Sequence, residues 1–125
     1  FVAWDKSCGI GPADSFADAE FAWTNAKVKR NVIRFLWKGV VCEKAGEEHG
    51  KRYHPTQKPI GVMTRCIELL PQCGCICDPY MGAGSTGVAA MRLGRRFVGI
   101  EMDPGYFASA CERIEAEQRQ ARLIA

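Results

Sequence analysis

Residues 75–101 constrain the fold more than any other part of the chain. A short apolar run, Cys75–Asp78, leads into Pro79-Tyr80-Met81-Gly82-Ala83-Gly84-Ser85-Thr86-Gly87, and a helix-like stretch and a second apolar run ending at Glu101 follow. Parallel strands need a crossover connection, most often a helix, so strand, glycine loop, helix and strand in this order predict a parallel βαβ unit, right-handed by default. The glycines let backbone approach a ligand, the helix presents free N–H groups, and an acid after the next strand can accept from a ribose diol. The segment reads as a nucleotide-cofactor cradle.

The flanking elements extend this unit. Pro59 suits a helix start, and Ile60, Met63, Ile67 and Leu70 recur at helical spacing up to Pro71. Thr86–Leu93 reads as a helix closed by Gly94, and Phe97–Glu101 as a strand. Asp103 caps a last helix with Pro104 in its first turn; its inward stripe is expected at Phe107, Cys111 and Ile114, with Glu115 and Arg119 as an exposed pair. The upstream part is less regular. Strand-like runs fall at Phe1–Trp4, Glu20–Thr24 and Val32–Trp37, a short helix fits Ser15–Glu20, and residues 39–53 read as a surface loop.

Composition excludes some functions. No run of about 18 apolar residues and no signal-peptide pattern occurs, so the expectation is a soluble, cytoplasmic protein. The seven cysteines are odd in number and lack paired Cys-x-x-Cys spacing; Cys73, Cys75 and Cys77 alternate, as small apolar side chains on one strand face would. No metal site is expected. The net charge of +3 hides a basic middle: residues 27–58 hold nine Lys or Arg against three acids, a patch able to neutralise phosphates or to serve as ordinary solvated surface. The three tryptophans, Trp4, Trp23 and Trp37, are expected in the core.

Gly82, Gly84 and Gly87 satisfy G-x-G-x-x-G, and Glu101 lies 19 residues after Gly82, close to a dinucleotide fingerprint. Against a nicotinamide enzyme stand the Asp78-Pro79 strand end and the lack of a second mononucleotide half. A different match is more specific. His54-Pro55-Thr56-Gln57-Lys58-Pro59, then Asp78-Pro79-Tyr80-Met81-Gly82-Ala83-Gly84-Ser85-Thr86, then Arg96-Phe97-Val98-Gly99-Ile100-Glu101-Met102-Asp103 resembles the beta-class DNA amino-methyltransferases, with three motifs in that family's order.

The resemblance implies an α/β fold with a Rossmann-like methyltransferase sheet, S-adenosylmethionine as cofactor, and double-stranded DNA as substrate. The methyl group would go to an exocyclic amino group of adenine or cytosine, in a restriction-modification, phage or regulatory setting. Carried over position by position, Asp78, Tyr80, Gly82 and Gly84 form the cofactor loop, with Tyr80 as a packing wall. Glu101 accepts from the ribose hydroxyls. His54, Thr56 and Lys58 close over the methionine end, where a cation and a hydroxyl can pair with its carboxylate.

One departure matters. The family carries an Asp-Pro-Pro-Tyr motif that activates the target amine, and no such tetrapeptide occurs in these 125 residues; Asp78-Pro79-Tyr80 belongs to the cofactor loop. No catalytic residue is therefore assigned. The expectation is that the chain, which begins at Phe1, is the C-terminal part of a longer enzyme and is inactive alone. The missing segment would supply a central strand, whose absence leaves two edges facing a gap, one of them on the Val2–Lys6 strand. Residues 1–53 would be the post-catalytic strands and basic loop of the domain, and residues 54–125 its S-adenosylmethionine-binding part. The alternatives are a non-catalytic cofactor- or DNA-binding remnant and a fragment of an NAD-dependent oxidoreductase.

Overall fold

The computed structural model describes residues 1–9, 19–29, 31–38, 41–42 and 53–124. Three strands come first: β1 (Val2–Asp5), β2 (Ala19–Ala22) and β3 (Val32–Arg34). Next are β4 (Trp37–Lys38), β5 (Val41–Cys42), α1 (Ile60–Glu68), β6 (Cys75–Asp78), α2 (Ser85–Arg92), β7 (Arg96–Gly99) and α3 (Pro104–Ile124). The fold is mixed α/β.

The strands form three small sheets among the described residues. β1 lies between β2, its antiparallel partner, and β3, which runs parallel to it. β4 and β5 make an antiparallel pair, and β6 and β7 a parallel one in which Cys75 faces Arg96 and Asp78 faces Gly99. The expected open edge on Val2–Lys6 is thus not present. Both sides of β1 carry ladder bonds, because the Val32-Ile33-Arg34 run docks alongside it, extended by a bond from Ala3 N–H to the Asn31 carbonyl.

Two apolar clusters meet at α1. One side of that helix, with Val62, Cys66 and Leu69, packs on Val2, Trp4, Ile33 and Phe35; Ile60 and Ile67 pack instead on Val88, Ala89 and Ala90 of α2. Fully burying such an aliphatic side chain is worth about 1.5–3 kcal/mol, which sustains a helix this short. The buried Trp4 indole donates to the Phe35 carbonyl at 2.9 Å, so its one polar atom is satisfied.

The second half follows its sequence pattern closely. Gly94 closes α2 with a φ of 64°, and its N–H donates to the Met91 carbonyl. Asp103 Oδ1 accepts from the N–H groups of Gly105 (2.8 Å) and Tyr106 (2.9 Å), capping α3 as expected. Glu115 and Arg119 stand 3.7 Å apart on its exposed side.

Several expectations are corrected. Val32–Trp37 is not one strand: β3 ends at Arg34, opposite the last residue of its partner β1, and the chain re-forms as β4 against β5, which itself falls in the segment expected to be loop. Ala19 and Glu20 belong to a strand rather than a helix, and residues 15–18 of that expected helix lie outside the described residues. The inward face of α3 holds Ala110, Arg113 and Ile114, while Phe107 is 46% exposed, because Ala110 is drawn against the glycine loop. Trp4 is buried and Trp37 half-buried, but Trp23 is 71% exposed beyond the end of β2. Cys75 and Cys77 do share a face, yet it is exposed together with Val98 and Ile100: α2 and α3 cover the opposite face, and no described element covers this one.

Candidate functional site

The site forms where β6 ends. Two left-handed glycines, Gly82 (φ 51°) and Gly84 (φ 80°), turn the chain sharply from Asp78 into α2, a conformation that costs other residues roughly 1–2 kcal/mol. Asp78 begins the turn by accepting from Tyr80 N–H at 3.0 Å. Gly84 also sits so close to α3 that a Cβ there would lie 2.9 Å from that of Ala110. The loop is therefore shaped from behind by packing and left free in front.

Glu101 holds the loop in place. Its Oε2 accepts from Gly82 N–H at 3.0 Å and its Oε1 from Asp103 N–H at 2.9 Å. A carboxylate offers about four acceptor positions, so two bonds leave capacity for hydroxyl donors. Expected to be a ligand contact, Glu101 is also the tie between the two ends of the βαβ unit.

The histidine segment forms the facing wall. His54 Nδ1 accepts from Thr56 N–H at 3.1 Å, which places the proton of the neutral ring on Nε2, and Thr56 Oγ1 lies 3.1 Å from the same nitrogen. Gln57 N–H donates to the His54 carbonyl, and its side-chain Oε1 accepts from Tyr53 N–H at 3.0 Å. The segment is a self-bonded turn. His54 Cδ2 reaches within 3.9 Å of a Cβ position on Gly82, so the two walls nearly touch there.

Between the walls lies a cleft of about 380 Å³, within the range of roughly 300–1,000 Å³ typical of small-molecule pockets. His54, Thr56, Lys58, Asp78, Tyr80, Gly82 and Glu101 all line it. Of the residues expected at the site, Gly84 alone is outside the lining, acting from behind as the residue that starts α2. Tyr80 lines the cleft and is 89% exposed there. Sequence reasoning left out Gln57, Met63, Met81, Ala83, Ser85 and Thr86, which also line the cleft. Ser85 and Thr86 stand in the quoted glycine motif, and their position at a helix start was the available signal.

Lys58 is engaged in a way the sequence did not indicate. Its Nζ lies 3.1 Å from Glu20 Oε2, while Lys6 Nζ lies 3.1 Å from Oε1 of the same carboxylate. Burial works to raise the Glu20 carboxyl, but the hydrogen bonds and charges of Lys58 and Lys6 outweigh it and leave it below the ordinary value. Glu20 thus links β2 to the cleft wall. Among the described residues no cluster of His, Cys, Asp or Glu is placed to hold a metal ion, and no helix is long and apolar enough to cross a membrane.

The features together make a candidate small-molecule cleft on an α/β scaffold: a glycine turn into a helix, a carboxylate after the second strand and a polar facing segment. Residues 14–112 match the DNA methylase family, and the chain belongs to this family of DNA amino-methyltransferases. Type II methyltransferase M2.DpnII of Streptococcus pneumoniae is 45% identical over 86 residues, which is 68% of this chain and 31% of that protein. Type II methyltransferase M2.LlaDCHI of Lactococcus lactis subsp. cremoris is 40% identical over 83 residues, 66% of this chain and 30% of that one. The chain spans about a third of the length of these curated relatives. Among solved structures, a crystal structure of an M1.HpyAVI–SAM complex matches with a TM-score of 0.62 and 27% identity, over 90% of this chain and 60% of that one.

Proposed function

We propose that the chain forms the S-adenosylmethionine-holding part of a DNA methyltransferase that acts on an exocyclic amino group of adenine or cytosine in double-stranded DNA. The observation that carries this reading is the cleft itself, in which three separate sequence segments, 54–58, 78–86 and 101, face one another. A DNA methylase family match and likeness to a methyltransferase–SAM complex support it.

The residues present suit the cofactor. Glu101 accepts from the ribose hydroxyls with the acceptor capacity left after its backbone bonds. The Gly82 and Gly84 turn brings main chain close to the ligand, and the start of α2 favours negative charge. Thr56 and Lys58 pair with the methionine carboxylate, Lys58 sharing its charge with Glu20. When bound, S-adenosylmethionine supplies an electrophilic methyl group on sulfur.

The acceptor side needs other groups. A nucleobase amine is a poor nucleophile because its lone pair is delocalised into the ring, so it must be flipped out and hydrogen-bonded by an Asp side chain and a Pro carbonyl. The 125 residues contain no Asp-Pro-Pro-Tyr sequence. In this reading a preceding segment of the same enzyme supplies it, with a further strand on the open side of β6, completing a Rossmann-like sheet.

Calorimetry with S-adenosylmethionine and with NAD tests the cofactor assignment. Heat is expected with S-adenosylmethionine alone, and Glu101→Ala should weaken binding by about 1–3 kcal/mol. Binding of NAD in its place would favour an oxidoreductase. A methyl-transfer assay on unmethylated DNA is expected to give no turnover with this chain; measurable turnover would overturn the division of labour between donor and acceptor segments.

A further inference from the structure

Two adjacent residues of the histidine segment rest on the same helix. The Tyr53 ring lies 4.6 Å from the Arg113 guanidinium, and the His54 ring lies 4.3 Å from the Tyr106 ring, tilted by 59°. Tyr106 and Arg113 are two turns apart on α3, hence on one face, and between them Ala110 packs against Gly84. Arg113 is only 5% exposed, and its Nη1 donates to the carbonyl of Ala83 in the glycine loop. One side chain therefore touches both walls of the cleft.

The chemistry of guanidinium suits this double contact. Its flat face can lie over an aromatic ring while an in-plane N–H donates to a carbonyl, whereas a lysine ammonium is a single compact charge at the end of a flexible stem. We propose that Arg113 is a positioning residue that sets the separation of the histidine segment from the glycine loop, with Tyr106 as its second support. The part of a ligand that feels this separation is the part held by both walls at once. On the cofactor reading above, on which this inference rests, that part is the amino-acid end of S-adenosylmethionine.

The test compares two ligands on the whole chain: S-adenosylmethionine, and 5′-methylthioadenosine, which has the nucleoside but no amino-acid end. Arg113→Lys and Tyr106→Leu should each lower affinity for the first by roughly tenfold and leave the second within about twofold. Equal losses for both ligands would mean that the substitutions merely damage the fold and would overturn the proposal, as would no loss for either. Tyr106, half-buried near the start of α3, serves if substitution of the buried Arg113 prevents folding. A readout without ligand separates this idea from the cofactor reading. The His54 imidazole resonances, assigned with a His49→Asn control, should shift in Arg113→Lys, and unmoved resonances would sink the positioning role. If the unsubstituted chain binds neither nucleoside, the cofactor reading falls while the His54 shift still decides whether Arg113 sets the segment.

Discussion

Glu20 is the residue whose role is most remote from its sequence context. It sits 38 positions before Lys58, yet its carboxylate joins Lys58 and Lys6. Because its pKa in the folded chain is held below the ordinary value, the stabilisation it brings is fully present above that value and fades as pH falls through the lowered one. Acid unfolding followed by circular dichroism should therefore show Glu20→Gln losing less stability than the parent below about pH 4. Parallel acid curves would remove the carboxylate from the account. The effect should be modest, since the pair with Lys58 is partly exposed and screened by water. At this scale the sequence exposed the local chemistry of Glu101 and His54, which stand inside short motifs. It concealed Glu20, Tyr106 and Arg113, because their partners are distant in the chain and no spacing rule links them.

At the level of elements, α2 depends on the turn that precedes it. Gly84 combines a left-handed backbone with the near contact to Ala110, so Gly84→Ala meets both a conformational and a packing penalty. A loss of roughly 1–2 kcal/mol is expected, visible as a melting point several degrees lower. An unchanged melting point would show that neither the left-handed backbone nor the contact with Ala110 constrains this position. The elements from α1 onward were legible because helical periodicity, Gly94 and Asp103 all pointed to the same boundaries. The early strands were less so. Val32–Trp37 has the composition of one strand, and it is divided where its partner β1 ends opposite Arg34, a boundary set by a distant segment. In α3 Ile114 packs inward as its spacing indicates, whereas Phe107 stays largely outside: Phe107 is more apolar than Ala110, but it is the smaller residue that sits beside Gly84.

At the scale of the whole molecule, the described residues cover the β6–β7 pair on one side. Cys75 and Cys77 face outward, whereas Cys66 is half-buried and burial pushes its thiol pKa up. A thiol reagent at neutral pH should label Cys75 and Cys77 well before Cys66, as read by mass spectrometry of peptides. Labelling of Cys66 first would mean that the α1 packing is open. Alternation within β6 told which cysteines share a face, but not whether anything covers it, since that depends on elements far away in sequence.

The placement of α1 between two apolar clusters bears on how the chain comes apart. A nine-residue helix shared by both leaves no boundary at which one half could melt alone, so the two form one cooperative unit. Amide protons in β1 and in α2, which do not belong to the same sheet or helix pair, should then exchange with a common opening energy. The His54–Lys58 turn, spliced directly onto α1 through Pro59, would lose its shape in the same event, making an ordered cleft wall a property of the folded whole.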